Sequence, residues 1–333
     1  MFSIPAFRIT LYQWLPLASF FLVAFVSSIL SLASYGFNFL ILNYLFALLP
    51  LYVGYHVCRT LRCSSGITAL QVAAWFLLLV VAAKTIFSWQ SIYEYLQNPY
   101  AHPELAWLYG GGPNLEATWL VMNAAFFRKS KMFWLYWAFA VVVSTLYASR
   151  IGILLALLLA IIQVVSARRF YTVFVLLVVA LFSGILLYVI NPHSIERFTQ
   201  IGQEPGSSTR LKMWSGALAV LQQMPIAGYG AGNAIPAIER VTGSEFLEDN
   251  VHNYYLQVLL DFGPLGLLSW LWLVFWTMRR SRIFTAKDEI GTYLVLYFLG
   301  CFVQFRGAEP LFWFVMGLFL ASRGRVNREI KNV

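Results

Sequence analysis

Asp249-Asn250-Val251-His252-Asn253-Tyr254 closes a polar interval that runs from Asn191 to about Phe262, and a long apolar run begins where it ends. Earlier in the interval come Arg197, then Ser207-Ser208-Thr209-Arg210-Leu211-Lys212-Met213-Trp214, then Gly228-Tyr229-Gly230-Ala231-Gly232-Asn233. No other polar interval in the chain is as long. On either side the sequence is a succession of apolar runs of about 20 residues, the length that crosses a bilayer. This alternation predicts an all-α polytopic membrane protein whose spans hold one large polar loop. The 333 residues are 60% hydrophobic and only 11% charged, with a mean hydropathy of +0.71. A soluble domain cannot bury that much apolar surface. The first run is long enough to remain as a span, and it lacks a signal-peptide cleavage pattern.

Apolar runs and charged punctuation predict about ten spans, near 11–33, 37–56, 67–88, 105–127, 132–149, 151–167, 171–190, 254–278, 289–305 and 308–322. The chain thus divides into about seven N-terminal helices over 1–190, an extracytoplasmic loop over 191–253 with short helices of its own, and about three C-terminal helices with a basic tail over 254–333. The net charge of +9 does not mark a nucleic-acid partner. Lys and Arg occur in short clusters between spans, which is how topology is written. With a cytoplasmic N-terminus, Arg59 and Arg62, Arg128 to Lys131, Arg168 and Arg169, Arg279 to Lys287 and the tail from Arg323 all fall inside. Both termini are then cytoplasmic, and the long loop faces outward. The basic tail fixes this topology and carries charge suited to anionic membrane lipid. Cys58, Cys63 and Cys301 form no disulfide framework, and the first two fall in a predicted cytoplasmic loop, where thiols stay reduced.

The same orientation leaves Arg150, Arg197, Arg210, Lys212, Arg240 and Arg306 on the outer side. Interfacial snorkelling and substrate contact are both open readings for them. Arg240 beside Glu239 reads as a solvated pair, and Lys84, near a span end, as a snorkelling residue. Arg150 and Arg306 sit in tight turns between apolar runs, where ionisable groups point to function. Leu108-Tyr109-Gly110-Gly111-Gly112-Pro113-Asn114 cannot continue a helix. Either it is irregular backbone lining a cavity, or the helix simply begins near Asn114.

Within the loop, Ser208 or Thr209 suits a helix cap, Leu211, Trp214, Leu218 and Leu221 follow at helical spacing, and Pro225 ends the run. Arg210 shares a face with Trp214 and points toward protein or membrane; Lys212 points to water. The glycine run lacks the strand and the Lys-Ser/Thr of a phosphate loop, so it reads as a turn that lets backbone approach something closely. Glu245, Glu248 and Asp249 match no metal-site spacing and read as a solvated acidic loop. His252 opens a membrane helix on the side of the arginines. An imidazole there is either a structural interfacial group or a general base. His56, His102 and His193 suggest no role. Asp261, inside the eighth predicted span and before Gly263-Pro264, must be paired or protonated and suits a brace between helix ends.

Taken together, Arg210-Leu211-Lys212-Met213-Trp214, the stretch Pro225 to Gly232, His252-Asn253-Tyr254-Tyr255-Leu256 and Asp261-Phe262-Gly263-Pro264-Leu265-Gly266 resemble the C-terminal core of the O-antigen ligase and polymerase superfamily. Ser149-Arg150 resembles its serine-arginine turn, and Pro113-Asn114 its proline-asparagine element. The resemblance implies a GT-C-like membrane fold in the bacterial inner membrane. It implies metal-independent, cofactor-free, inverting transfer of a glycan from undecaprenyl pyrophosphate on the periplasmic face, with lipid A-core as the ligase's acceptor. Arg150 and Arg210 would bind the pyrophosphate, with Arg197 and Arg306 as further cations, and His252 would sit at the acceptor hydroxyl. Asn253, Trp214, Gly228, Gly230, Asn114 and Asp261 would support the site. The chemistry suits these residues, because arginine forks stabilise a departing pyrophosphate and one base deprotonates the incoming hydroxyl. A polymerase that joins repeat units on the lipid carrier shares this chemistry. The single large outer loop favours the ligase. A flippase or transporter of a lipid-linked glycan is the rival of another class, and an assembly role is a third.

Overall fold

The computed structural model describes residues 11–97, 112–167, 205–284, 288–303 and 307–329. The predicted span 171–190 lies outside them, as do Arg197 and Arg306. Among the described residues the fold is all-helical. The helices are α1 (Leu11–Tyr35), α2 (Leu40–Val57), α3 (Cys63–Phe87), α4 (Trp89–Gln97), α5 (Gly112–Asn123), α6 (Phe133–Leu146), α7 (Arg150–Ala167), α8 (Pro205–Val220), α9 (Ala234–Thr242), α10 (Tyr254–Arg280), α11 (Glu289–Gly300) and α12 (Pro310–Glu329).

Among the described residues, four stretches are long and apolar enough to cross a membrane: Gln13–Tyr35, Leu40–Leu61, Cys63–Phe87 and Tyr254–Arg280. Shorter apolar helices occupy Phe133–Leu146, Arg150–Ser166, Glu289–Gly300 and Pro310–Arg323. Large apolar side chains such as Leu22, Phe46 and Phe76 stand exposed on α1 to α3, the kind of contiguous apolar surface that a bilayer covers. Inside, the helices pack through small residues and aromatics. A Cβ at Gly54 would overlap the Phe314 carbonyl, and one at Gly317 the Leu51 carbonyl, so α2 and α12 touch backbone to backbone. Phe20 of α1 meets Phe262 at 6.1 Å and Trp270 at 5.1 Å on α10.

Polar contacts sort the bundle into two ends. At one end, Lys84 at the close of α3 pairs with Glu116 at the start of α5. The Tyr44 hydroxyl meets that of Tyr254 at 3.0 Å, and the Tyr254 amide donates to the Cys301 carbonyl. At the other, Lys129 reaches Glu289 at 3.2 Å, and Arg323 pairs with Asp288. Arg128 lies there fully buried. Its guanidinium donates to Gln163 (3.1 Å), Ser166 (2.9 Å), the Ile283 carbonyl (2.9 Å) and Thr292. It therefore ties α7, α11 and the turn after α10 to its own segment, and burial pushes its pKa down to about 10.

Several local expectations change. Lys84 does not snorkel: it is paired, with the Glu116 side chain fully buried. Cys58 and Cys63, expected as separate reduced thiols, are joined in a disulfide across a π-helical turn, Cys58–Arg62, that brings their Cα atoms to 4.2 Å. The α5 helix begins at Gly112 with Pro113 in its first turn, where a missing amide costs nothing. Pro205 likewise opens α8 a turn before the expected Ser208 or Thr209 cap. The buried face of α8 is Met213, Ala217 and Val220, whereas Leu211 and Leu218 are exposed. The small Gly216 admits Ile238 of α9 on that face, and close approach outweighs the larger leucines.

Arg128→Lys keeps the charge but loses the planar fork and leaves buried acceptors unfilled. We expect a loss of roughly 3 kcal/mol in stability, read as a lower melting temperature in detergent.

Candidate functional site

The site is built on the entry to α10. Asn253 adopts an extended conformation, and its side chain accepts the Leu256 amide, which caps the helix. One residue earlier, His252 has a φ of 53°, left-handed for a side chain with a Cβ. Neighbouring side chains hold that conformation. The His252 amide donates to Asn250 Oδ1 at 2.9 Å, and the Val251 amide donates to Gln257 Oε1 at 2.9 Å. The Trp214 indole donates to the Val251 carbonyl at 2.8 Å. The imidazole Nε2 lies 3.2 Å from Glu248 Oε2, while Nδ1 is buried without a hydrogen-bond partner.

The Trp214 bond brings α8 to this loop. Arg210 precedes Trp214 by four residues and lies on the same helical face, about 6 Å along the axis. It is half-buried, whereas Lys212 is exposed, as the spacing predicts. The Trp214 bond thus links the helix that carries Arg210 to the wall formed by the loop that carries His252.

Behind that wall sits the brace. Asp261 is buried. Its two carboxylate oxygens accept the amides of Gly232 and Ala234, each at 3.1 Å, and the Gln257 side chain at 2.9 Å. The Asp261 carboxylate therefore stands at the N-terminus of α9, where the helix dipole favours it. The glycine run wraps the break in α10 at Gly263, whose φ is 70°. Tyr229 donates its amide to the Leu260 carbonyl at 2.8 Å, and Gly230 to that of Asp261 at 2.7 Å. A Cβ on Gly228 would overlap the Asp261 carbonyl and the Gly263 amide. What the run approaches closely is α10. On its other side, α1 supplies Ser28, whose Oγ accepts the Ala231 amide at 3.2 Å. A largely apolar cavity of about 100 Å³ opens between α1, α2 and this run, bordered by Ser31, Asn38 and Asn233.

Arg150 begins α7 on a separate element. Ser149 Oγ accepts the Gly152 amide at 3.2 Å and caps that helix, and Ala148 before it has a φ of 48°. Tyr147 bonds Thr85 at 3.0 Å, and its ring lies 5.5 Å from Lys84 Nζ. The arginine turn therefore rests on the Lys84–Glu116 pair, at the same end of the bundle as Tyr254. Asn114 lies two residues before Glu116, and its carbonyl accepts the Thr118 hydroxyl. Glu116 escaped the reading of the sequence, although a lone carboxylate within an apolar run is itself a signal. Among the described residues no three His, Cys, Asp or Glu side chains stand close enough to share a metal ion.

A protein-family model described as O-antigen ligase matches residues 132–271. The match covers under half of the 333-residue chain. No curated protein matches the chain. The matched region takes in α6 to most of α10, and with them the Arg150 turn, Arg210, the glycine run, His252 and Asp261. It leaves out Lys84 and Glu116, which support it from α3 and α5.

Asp261→Asn would set an amide against the three donors the carboxylate now receives. The expected outcome is a stability loss of roughly 2 kcal/mol, seen as a lower melting temperature in detergent.

Proposed function

We propose that this protein is an inverting, metal-independent membrane glycosyltransferase of the O-antigen ligase type. It transfers a glycan from undecaprenyl pyrophosphate to lipid A-core. The bundle is a GT-C-like assembly of about ten spans. It sits in the bacterial inner membrane with both termini cytoplasmic and the His252 end facing the periplasm.

The observation that carries this reading is the Trp214–Val251 hydrogen bond, 2.8 Å long. It joins a face bearing a permanent cation to a loop bearing a proton-transfer group, inside the domain that matches the O-antigen ligase family. Arg210 and Arg150 bind the pyrophosphate oxygens and stabilise the charge that gathers there as the glycosyl bond breaks. Arg197 and Arg306 are assigned to the same anion. His252 stands on the acceptor's side, where the attacking hydroxyl loses its proton. One direct displacement inverts the anomeric carbon. The Ser149 cap, the Asn253 cap and the Asp261 brace keep these groups at fixed separations.

The test uses purified full-length protein in detergent, with lipid-linked glycan, candidate acceptors and EDTA. Wild type is expected to glycosylate lipid A-core and release undecaprenyl pyrophosphate. Arg210→Ala and His252→Ala should each lose activity by roughly 100-fold or more while remaining folded. Trp214→Phe, which keeps the ring and deletes the donor, should lower kcat by about tenfold through misplacement alone. Growth of glycan on the lipid carrier would instead make the enzyme a polymerase. Movement of intact donor across a bilayer, with no pyrophosphate released, would make it a transporter.

A further inference from the structure

The two nitrogens of His252 are not equivalent, and the difference bears on where the acceptor's proton goes. Nε2 faces the Glu248 carboxylate at 3.2 Å. Nδ1 is closed off from solvent and has no hydrogen-bond partner. A neutral imidazole carries one N–H. If it sits on Nδ1, a donor is buried unpaired and the Nε2 lone pair is aimed at an anion. If it sits on Nε2, that N–H donates to Glu248 and the contact is attractive, so this tautomer is favoured. Nε2 then already holds a proton, and Nδ1 is walled off. Neither nitrogen is placed to take a proton from an incoming hydroxyl. Glu248 is, because its side chain is 46% exposed against 12% for the imidazole. An acceptor entering from solvent meets the carboxylate first.

We propose that Glu248 is the catalytic base and that His252 is the positioning residue that holds its carboxylate. The inference rests on the glycosyltransferase reading and names the proton acceptor within it. As the acceptor oxygen attacks the anomeric carbon, its proton passes to a Glu248 oxygen. The bond from the anomeric carbon to the phosphate oxygen breaks, and its electron pair leaves with the undecaprenyl pyrophosphate. Protonated Glu248 then releases its proton to solvent.

The strained His252 backbone gives this arrangement its purpose. Holding His252 left-handed costs energy, and the surrounding hydrogen bonds that offset that cost also fix where the imidazole points. Asn250, Gln257 and Trp214 converge on the two residues at issue, Val251 and His252. Among the described residues, the other charged groups on the elements packed around the pair are Asp249 and Glu245 on the loop, Arg210 on α8, Glu239 and Arg240 on α9, and Asp261 on α10. Asp249 accepts from Asn250, Glu239 accepts the Phe246 amide, Arg240 lies over the Tyr35 ring, and Asp261 is the brace. Arg210 is the cation whose own face abuts the loop.

The experiment measures kcat and the acceptor KM across pH for full-length wild type, Glu248→Gln, Glu248→Ala, His252→Ala and Glu245→Gln, with melting temperature as the folding check. A carboxylate base works only when deprotonated, so wild-type kcat should fall as pH drops. Glu248→Gln should lower kcat roughly 100- to 1000-fold with acceptor KM changed less than about threefold, and its acidic limb should flatten. Added formate should restore Glu248→Ala at least about tenfold, because the lost carboxylate stood open to solvent. Glu245→Gln should match wild type. The proposal is overturned if Glu248→Gln keeps kcat within about threefold of wild type, or raises only KM. It is equally overturned if formate fails while His252→Ala alone abolishes the acidic limb, which would return the base to the imidazole. A wild type that forms no product with authentic donor and acceptors removes the glycosyltransferase reading itself, and with it any hydroxyl for Glu248 to deprotonate.

Discussion

Two irregular pieces of backbone complete each other around Asp261, and the rest of the site depends on that fit. The α10 helix breaks at Gly263, which frees carbonyls that an unbroken helix would occupy. The glycine run fills them with the amides of Tyr229 and Gly230, and Ser27 adds a hydroxyl to the Asp261 carbonyl. In return the Asp261 side chain takes the amides of Gly232 and Ala234. Broken backbone inside a membrane bundle persists only where such partners exist. Because Gln257 joins Asp261 to the Val251 amide, the brace is continuous with the wall that carries His252.

That continuity explains how a non-glycine residue stays left-handed at His252. The conformation costs on the order of 1–3 kcal/mol, and three side-chain hydrogen bonds to Val251 and His252 fix it. Each comes from a different element: the loop itself, α8 and α10. In the proposed reaction, a site assembled this way would hold the proton-transfer and anion-binding groups in fixed relation without placing either residue on a rigid helix interior.

Helix positions along the apolar runs were legible in the sequence because a bilayer-length run leaves few alternatives. The roles of Asp261 and the glycine run were half legible. Composition announced a close approach and a buried carboxylate needing partners, but not that each supplied the other. The buried face of α8 was not legible. Leu211 and Leu218 outrank Ala217 in hydrophobicity, yet they are exposed, because contact distance to α9 rather than transfer energy selects the face. The Cys58–Cys63 pairing also escaped, since a five-residue separation brings the cysteines together only in the π turn that the backbone adopts there. Glu248 read as one of three solvated acids, because nothing in linear spacing aims it at an imidazole four residues on.

The two ends of the bundle divide strain and closure between them. Every described residue with left-handed φ, the eight glycines together with Ala148 and His252, lies at or near the end that holds His252. The opposite end has none among the described residues. It is closed instead by the buried Arg128 fork and by the Lys129–Glu289 and Arg323–Asp288 pairs. Such an arrangement suits a machine that works from one face. The buried fork and the ion pairs oppose separation of the helices at the far end. A carrier that alternates access needs two ends that can each part. Among the described residues the left-handed, glycine-lined backbone gathers at the His252 end, which is where the proposed reaction would bring a polyprenyl-linked anion and its acceptor together.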